Sequence, residues 1–263
     1  MAGIREVQVR SLGELIEAVT PANPDPETGR RRDTGVYHGS SAADHSLLTS
    51  LDRLGGTDPP HSKVHLESHI LRNFARYSRP HLPAPPVNDW EILVVAQHHG
   101  VPTRLLDWSY SPLVAAHFST TTARPGRDCA IWRLDWQRVH RTFQLPPLAL
   151  RIEDLLDLFS EKRFTIWELF AGRTPDFACL IEPPSLDARI VAQAAAFTIS
   201  SDTEQPFDSF LAHHDVGNAL TKLVIPEDAI QHVRDQLDLA GIEERHLFPD
   251  LDGVAASIRR YYA

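Results

Sequence analysis

The chain has 263 residues, 42% hydrophobic and 23% charged, with a formal net charge of -9. That length makes one large domain or two small ones. The hydrophobic fraction excludes wholesale disorder, and the acidic balance excludes a generally basic nucleic-acid coat, though not a local basic groove. Two cysteines, Cys129 and Cys179, exclude a disulfide framework. No apolar run approaches the roughly 20 residues of a membrane span, and MAGIREVQVR lacks a secretion-signal pattern. A soluble cytoplasmic protein is expected.

Residues 4–10 alternate as a strand does, and SLGELIEAV reads as a helix capped by Ser11, with Glu14 completing a capping box. A Pro-, Asn-, Asp- and Gly-rich loop leads into the short strand VYHGSS, which ends in a glycine turn. Residues 41–60 are mixed. Over 64–79, Val64, Ile70, Leu71, Phe74 and Tyr77 fall at helical spacing. Asp89 is placed to cap the next helix, WEILVVAQHH, which Gly100 stops. SPLVAAHFST reads as a buried helix opened by Pro112. Residues 129–135 alternate as a strand, 151–171 read as a helix, and 177–183 and 189–200 read as two more strands. KLVIP is a short strand, 226–241 is a helix stopped by Gly241, and the tail is a turn and a last helix. Helices predominate early and strands later, which predicts an α+β fold in a single domain spanning 1–263.

The chemistry is concentrated at 96–120. Gln97, His98, His99, Thr103, Arg104, Asp107, Trp108 and Ser109 lie between two apolar helices, and binding residues collect on loops held by rigid elements. On one reading Arg104 and Asp107 form an ion pair that pins the loop. On the other, Arg104 or Thr103 meets a phosphate or ribose and Trp108 supplies an aromatic wall. The pairs His98-His99 and His213-His214-Asp215 have metal-ligand types, but adjacent helical residues point about 100° apart, so no metal is expected. Cys129 and Cys179 read as core residues on strands, and Asp250 and Asp252 as turn residues. Arg30, Arg31 and Arg32 are either solvated surface or contacts to the phosphates of NAD or a nucleic acid.

The run from Gln97 to Ser109, QHHGVPTRLLDWS, resembles the signature of the FRG domain family, a stretch close to QHYGLPTRLLDWT. Ser111 to Ser119 matches the small-residue helix that follows it there. Tyr37-His38-Gly39 stands where that family has its Phe-Arg-Gly triplet. The segment from Glu67 to Tyr77 is similar to its E-x-x-L-L-x-x-F helix. Arg189, Gln193, Phe197 and Thr198 resemble its late R-x-x-x-Q-x-x-x-F-T strand, and Leu247 to Gly253 its LFPDLDG tail. The resemblance runs from about 34 to 258.

These blocks in turn resemble those of the ADP-ribosyltransferases, and Tyr37-His38-Gly39-Ser40 looks like the W-H-G-S block of the diphtheria-toxin type. The resemblance implies a split β-sheet core with flanking helices and a helical N-terminal part. It implies NAD as substrate and a mono-ADP-ribosyltransferase acting on a protein or nucleic-acid acceptor, with an effector or toxin-like role to suit. His38 would bind the adenosine ribose, and the Gly39 backbone the nicotinamide amide. Tyr37 and Ser40 complete that block. Trp108, Tyr110 or Phe118 would stack on the nicotinamide, and Thr103 and Arg104 would face ribose or pyrophosphate. Bond cleavage generates an oxocarbenium-like ribose that a carboxylate normally steadies. Gln193 occupies the late strand where a glutamate is usual, the nearest acids being Asp202 and Glu204. Asp107 is a second candidate, so the catalytic set is His38, Gln193 and Asp107. Two rivals follow: a non-catalytic NAD- or ADP-ribose-binding module, and a hydrolase pairing Asp107 with His98 or His99 without NAD.

Overall fold

Seven strands hydrogen-bond into one mixed sheet in the computed structural model, which describes residues 3–54, 62–82, 86–161, 175–184 and 188–262. They are β1 (Arg5–Gln8), β2 (Val36–Ser40), β3 (Leu106–Ser109), β4 (Cys129–Leu134), β5 (Ala178–Ile181), β6 (Ala195–Ser200) and β7 (Leu220–Ile225). Their order is β1-β7-β4-β2-β3-β6-β5. Only β1 and β7 run parallel; the other neighbours are antiparallel. The helices are α1 (Leu12–Val19), α2 (Ser50–Arg53), α3 (Lys63–Ser78), α4 (Asp89–His98), α5 (Pro112–Thr121), α6 (Trp136–Thr142) and α7 (Ile152–Glu161). They continue with α8 (Ala188–Ala192), α9 (Phe207–His213), α10 (Glu227–Leu239), α11 (Glu244–Leu247) and α12 (Leu251–Tyr261).

Both faces of the sheet are covered, so its strands are apolar on both sides. In β4, Cys129 and Ile131 pack with α1, α5 and α10, while Trp132 and Leu134 pack with α6 and α9. In β6, Phe197 and Ile199 join Leu71 of α3, Leu93 of α4 and Leu155 of α7, while Ala196 faces the opposite layer. The architecture is the mixture of helices and strands expected from the sequence.

The sheet has one weak seam. β2 runs beside β4 from Val36↔Leu134 to Ser40↔Ala130, and β3 runs beside β6 from Leu106↔Thr198 to Ser109↔Ala195. β2 and β3 meet only at Tyr37↔Ser109. Beyond that pair they part, and α5 packs directly under β2. Gly39 is required there. A Cβ on it would collide with the Ala115 carbonyl oxygen and lie 2.7 Å from the Ser119 nitrogen.

Several elements differ from the sequence reading. Asn88, not Asp89, caps α4: its backbone is extended and its side chain accepts from the Glu91 N–H at 2.9 Å. Ser11 caps α1 as expected, but Glu14 reaches back to the Arg10 N–H, at 2.7 Å. The expected strand 189–200 is divided. Its first part is helix α8, a turn with Ala194 at φ 45 follows, and only then does β6 begin. The expected helix 151–171 is present as α7, and its remainder lies outside the described residues. β3 occupies a stretch the sequence reading left as a loop.

Two predictions follow from packing. Gly39→Ala forces α5 away from β2, so it should lower stability by about 1–3 kcal/mol. An unchanged denaturation midpoint would contradict that close approach. The second concerns acid. His140 is fully buried, its Nδ1 lies 2.8 Å from the Pro146 carbonyl oxygen, and its Nε2 accepts from the Leu180 N–H at 2.8 Å. That pattern requires the neutral ring. Burial lowers the pKa of His140, and likewise of His117 and His38. The unfolded chain therefore takes up protons first, near the ordinary histidine value of about 6.5. Stability should be complete by about pH 7.5 and fall as pH drops through about 6.5 to 5.5, before carboxylates titrate. A flat denaturation midpoint over that range would contradict it.

Candidate functional site

The seam between β2 and β3 opens into a cleft of about 1420 Å³. Small-molecule sites are usually roughly 300–1,000 Å³, so this cleft is large for one. Its floor is His38, Gly39 and Ser40 from β2 with Asp107, Trp108 and Ser109 from β3. One rim is Arg53 of α2 with His98 and His99 at the end of α4. The other is Arg189 of α8 with Gln193.

His38 is held in one protonation state. Its Nδ1 lies 2.7 Å from the Asp107 carbonyl oxygen. A carbonyl only accepts, so Nδ1 carries the proton and Nε2 is left as an acceptor. Burial pushes the pKa of His38 below the ordinary value, against the opposing pull of Asp107, so the ring is neutral at pH 7. Its edge rests on Trp108, with ring centroids 5.8 Å apart. Trp108 is buried and donates from Nε1 to Thr198 Oγ1 at 2.8 Å, which fixes the indole. Phe118 lines the same cleft and packs edge-on against Phe248, 6.0 Å away.

The Asp107 side chain is exposed in the cleft. Its Oδ2 accepts from Gln97 Nε2 at 2.9 Å. Arg104 does not pair with it, contrary to the ion pair expected from their spacing. Arg104 is buried and donates from its backbone N to Glu67 Oε1 (2.8 Å) and from Nε to Glu67 Oε2 (2.7 Å). It does not line the cleft, so a phosphate-facing role for it is withdrawn. Thr103 is also withdrawn from ligand contact. It is fully buried, and its hydroxyl donates to Gln97 Oε1 at 2.6 Å.

Other expected residues divide in the same way. Tyr37 reaches the cleft from β2, but its ring lies in the core and its hydroxyl donates to Asp33, which also holds Arg133. Ser40 is buried and donates to the Ala42 carbonyl at 2.9 Å. Tyr110 stands outside the cleft lining, its hydroxyl 2.6 Å from Glu182 Oε1. Gln193 lines the cleft, but its Nε2 donates to the Leu247 carbonyl at 3.0 Å, tying it to the tail. Asp202 and Glu204 bond each other outside the lining. Cys129 and Cys179 are buried, and burial raises both thiols, Cys129 to about 11. Asp250 caps α12 by accepting from the Gly253 N–H at 2.8 Å, and also lines the cleft. Arg30, Arg31 and Arg32 are exposed and do not line it. Among the described residues no group of three or more His, Cys, Asp or Glu is placed to hold a metal ion.

Two cations line the cleft: Arg189, which the sequence places in the late motif without a role, and Arg53, which sequence reasoning missed. Arg189 lies 4.8 Å over the Phe248 ring. Arg53 ends a one-turn helix whose start is a capping box: Thr49 Oγ1 accepts from the Asp52 N–H at 3.1 Å, and Asp52 Oδ2 accepts from the Thr49 N–H at 2.8 Å. The other Asp52 oxygen holds Lys63 Nζ at 2.9 Å. That cap-and-lysine signal was legible at Thr49 and Asp52, but nothing local placed it at a cleft.

Residues 33–128 match the FRG domain. The match contains β2, α2, Glu67 and the whole run from Gln97 to Ser119, and ends before Arg189, Gln193 and the LFPDLDG tail. No curated protein and no solved structure matches the chain.

The buried Arg104–Glu67 pair anchors the turn that leads into β3. Removing one partner of such a buried pair costs about 3–5 kcal/mol. Glu67→Ala should destabilise the protein by that amount in chemical denaturation, and a loss below about 1 kcal/mol would contradict it.

Proposed function

We propose that the FRG domain match marks the larger part of an NAD site, and that the protein is an NAD-dependent mono-ADP-ribosyltransferase acting on a protein or nucleic-acid acceptor in the cytoplasm. The carrying observation is the parting of β2 from β3, which brings His38, the Gly39 backbone and the Asp107 carboxylate onto the floor of one large cleft. A split β-sheet core is what the ADP-ribosyltransferase resemblance implies, and the weak β2–β3 pairing supports that reading.

In this reading, His38 Nε2 accepts a hydroxyl proton of the adenosine ribose, for which a neutral ring is needed. Arg53 faces the diphosphate. Trp108 and Phe118 give the nicotinamide an apolar wall. The N-glycosidic bond breaks with its electron pair leaving on nicotinamide. The acceptor's nucleophile then bonds the anomeric carbon and gives up its proton. The Asp107 carboxylate steadies the positive charge that develops on the ribose between these events. Gln193 is uncharged, and its amide is engaged with Leu247, so it lines the site rather than supplying that charge.

One observation favours a second reading. β6 presents Ala195 and Phe197 to the cleft and no carboxylate, which suits a module that binds NAD or ADP-ribose without cleaving it. The hydrolase alternative has less support: the described contact of the Asp107 carboxylate is to Gln97, while His98 and His99 meet edge to face 5.2 Å apart. Among the described residues no helix is long and apolar enough to cross a membrane.

Nicotinamide release and heat of NAD binding, measured together, test the proposal. Asp107→Asn should slow release by about 100-fold or more while NAD binding stays within about threefold. Arg53→Ala should weaken ADP-ribose binding by about tenfold or more and leave adenosine binding unchanged. Release that persists in Asp107→Asn would contradict its role. Wild-type binding without release would select the binding module, and absence of both would remove NAD from the site.

A further inference from the structure

The Asp107 carboxylate is held by a side chain whose two ends are both committed. Gln97 Nε2 donates to Asp107 Oδ2 at 2.9 Å, and Gln97 Oε1 accepts from Thr103 Oγ1 at 2.6 Å. This orientation of the amide follows from its partners. A carboxylate only accepts, so the NH2 end must face Asp107. The Thr103 oxygen already accepts from the Leu105 N–H at 3.1 Å, so its hydroxyl proton is available to the Gln97 oxygen. A flipped amide would set its oxygen against the Asp107 carboxylate and lose that bond.

The frame behind this amide is rigid. Gln97 lies in the last turn of α4 and is itself buried. Thr103 is strapped to α2, its N–H donating to Ser50 Oγ at 3.0 Å and its carbonyl accepting from Ser50 Oγ (3.2 Å) and the Leu51 N–H (3.1 Å). The next residue is anchored by Glu67. Gln97 thus joins a fixed turn to the one carboxylate on β3 that faces the cleft. Without it, Asp107 would be an exposed side chain free to choose among rotamers, and misplacement of a charged group by about 1 Å is enough to cost a large part of its effect.

We infer that Gln97 is the positioning residue of the site: its amide donates to the Asp107 carboxylate and holds it in the orientation in which it meets the substrate. This rests on the proposed role of Asp107, but the bond itself can be tested apart from that role.

Gln97→Glu separates positioning from scaffolding. A glutamate keeps an oxygen that accepts from Thr103 and replaces only the donor facing Asp107. The two carboxylates then repel until one takes up a proton, and the protonated form again donates a hydrogen bond. Relative to wild type, Gln97→Glu should lower kcat for nicotinamide release by about tenfold or more near pH 8, with KM for NAD within about threefold. That deficit should shrink as pH falls toward about 5.5. Gln97→Ala should lose activity without recovering in acid. In parallel, the Asp107 carboxyl carbon, assigned by its absence in Asp107→Asn, is titrated by NMR. Gln97→Glu should move its titration to higher pH. An unmoved Asp107 titration would overturn the inference, as would a deficit independent of pH. A titration that moves in Gln97→Glu, together with a wild-type protein that releases no nicotinamide, would keep the positioning role and reject the transferase reading instead.

Discussion

Strand β2 hydrogen-bonds along its length to β4, and β3 along its length to β6, but as a backbone ladder the two pair with each other only at Tyr37 and Ser109. A sheet interior normally pairs its backbone groups on both sides. Here the seam opens instead, and polar backbone and side chains face a cleft. What keeps the seam from closing is packing on either side of it. Gly39 lets α5 press against β2, and the Arg104–Glu67 pair fixes the turn from which β3 starts. The cleft is a consequence of two halves that are each well packed and are joined weakly.

That arrangement brings a neutral histidine and an aspartate side chain together in the cleft. The Asp107 backbone carbonyl fixes the proton on His38 Nδ1, while its side chain points into the cleft and meets Gln97. One residue therefore sets the tautomer of its neighbour and presents a carboxylate. The wall beyond the matched region is built by the tail: Gln193 bonds the Leu247 carbonyl, Arg189 covers Phe248, and Phe248 meets Phe118 of α5. The LFPDLDG run has its own steric reason. A side chain at Gly253 would collide with Phe248, and Asp250 caps the helix that follows.

Much of this was legible in the sequence. The run from Gln97 to Ser109 reads as polar chemistry between apolar helices, and Gln97, His98, His99, Asp107, Trp108 and Ser109 of it line the cleft. The partners inside it were not legible. Arg104 and Asp107 are three residues apart and look like a pair, yet the partner of Arg104 is Glu67, and sequence spacing carries no information about contacts at that distance. β3 is four residues with a polar one in second place, too short for alternation to register. The stretch 188–200 is rich in Ala, Ile and Val throughout, and only the positive φ at Ala194 divides helix from strand. Arg53 was hidden because residues 41–60 have no periodicity; its place at the cleft comes from the turn around Thr103.

On the proposed reading, the opening between β2 and β3 is a nucleotide site. A crystal structure of the protein with ADP-ribose tests it most directly. The account predicts the ribose within hydrogen-bonding distance of His38 Nε2 and the diphosphate beside Arg53. ADP-ribose bound elsewhere on the protein, or no ligand in the opened seam at saturating concentration, would contradict it.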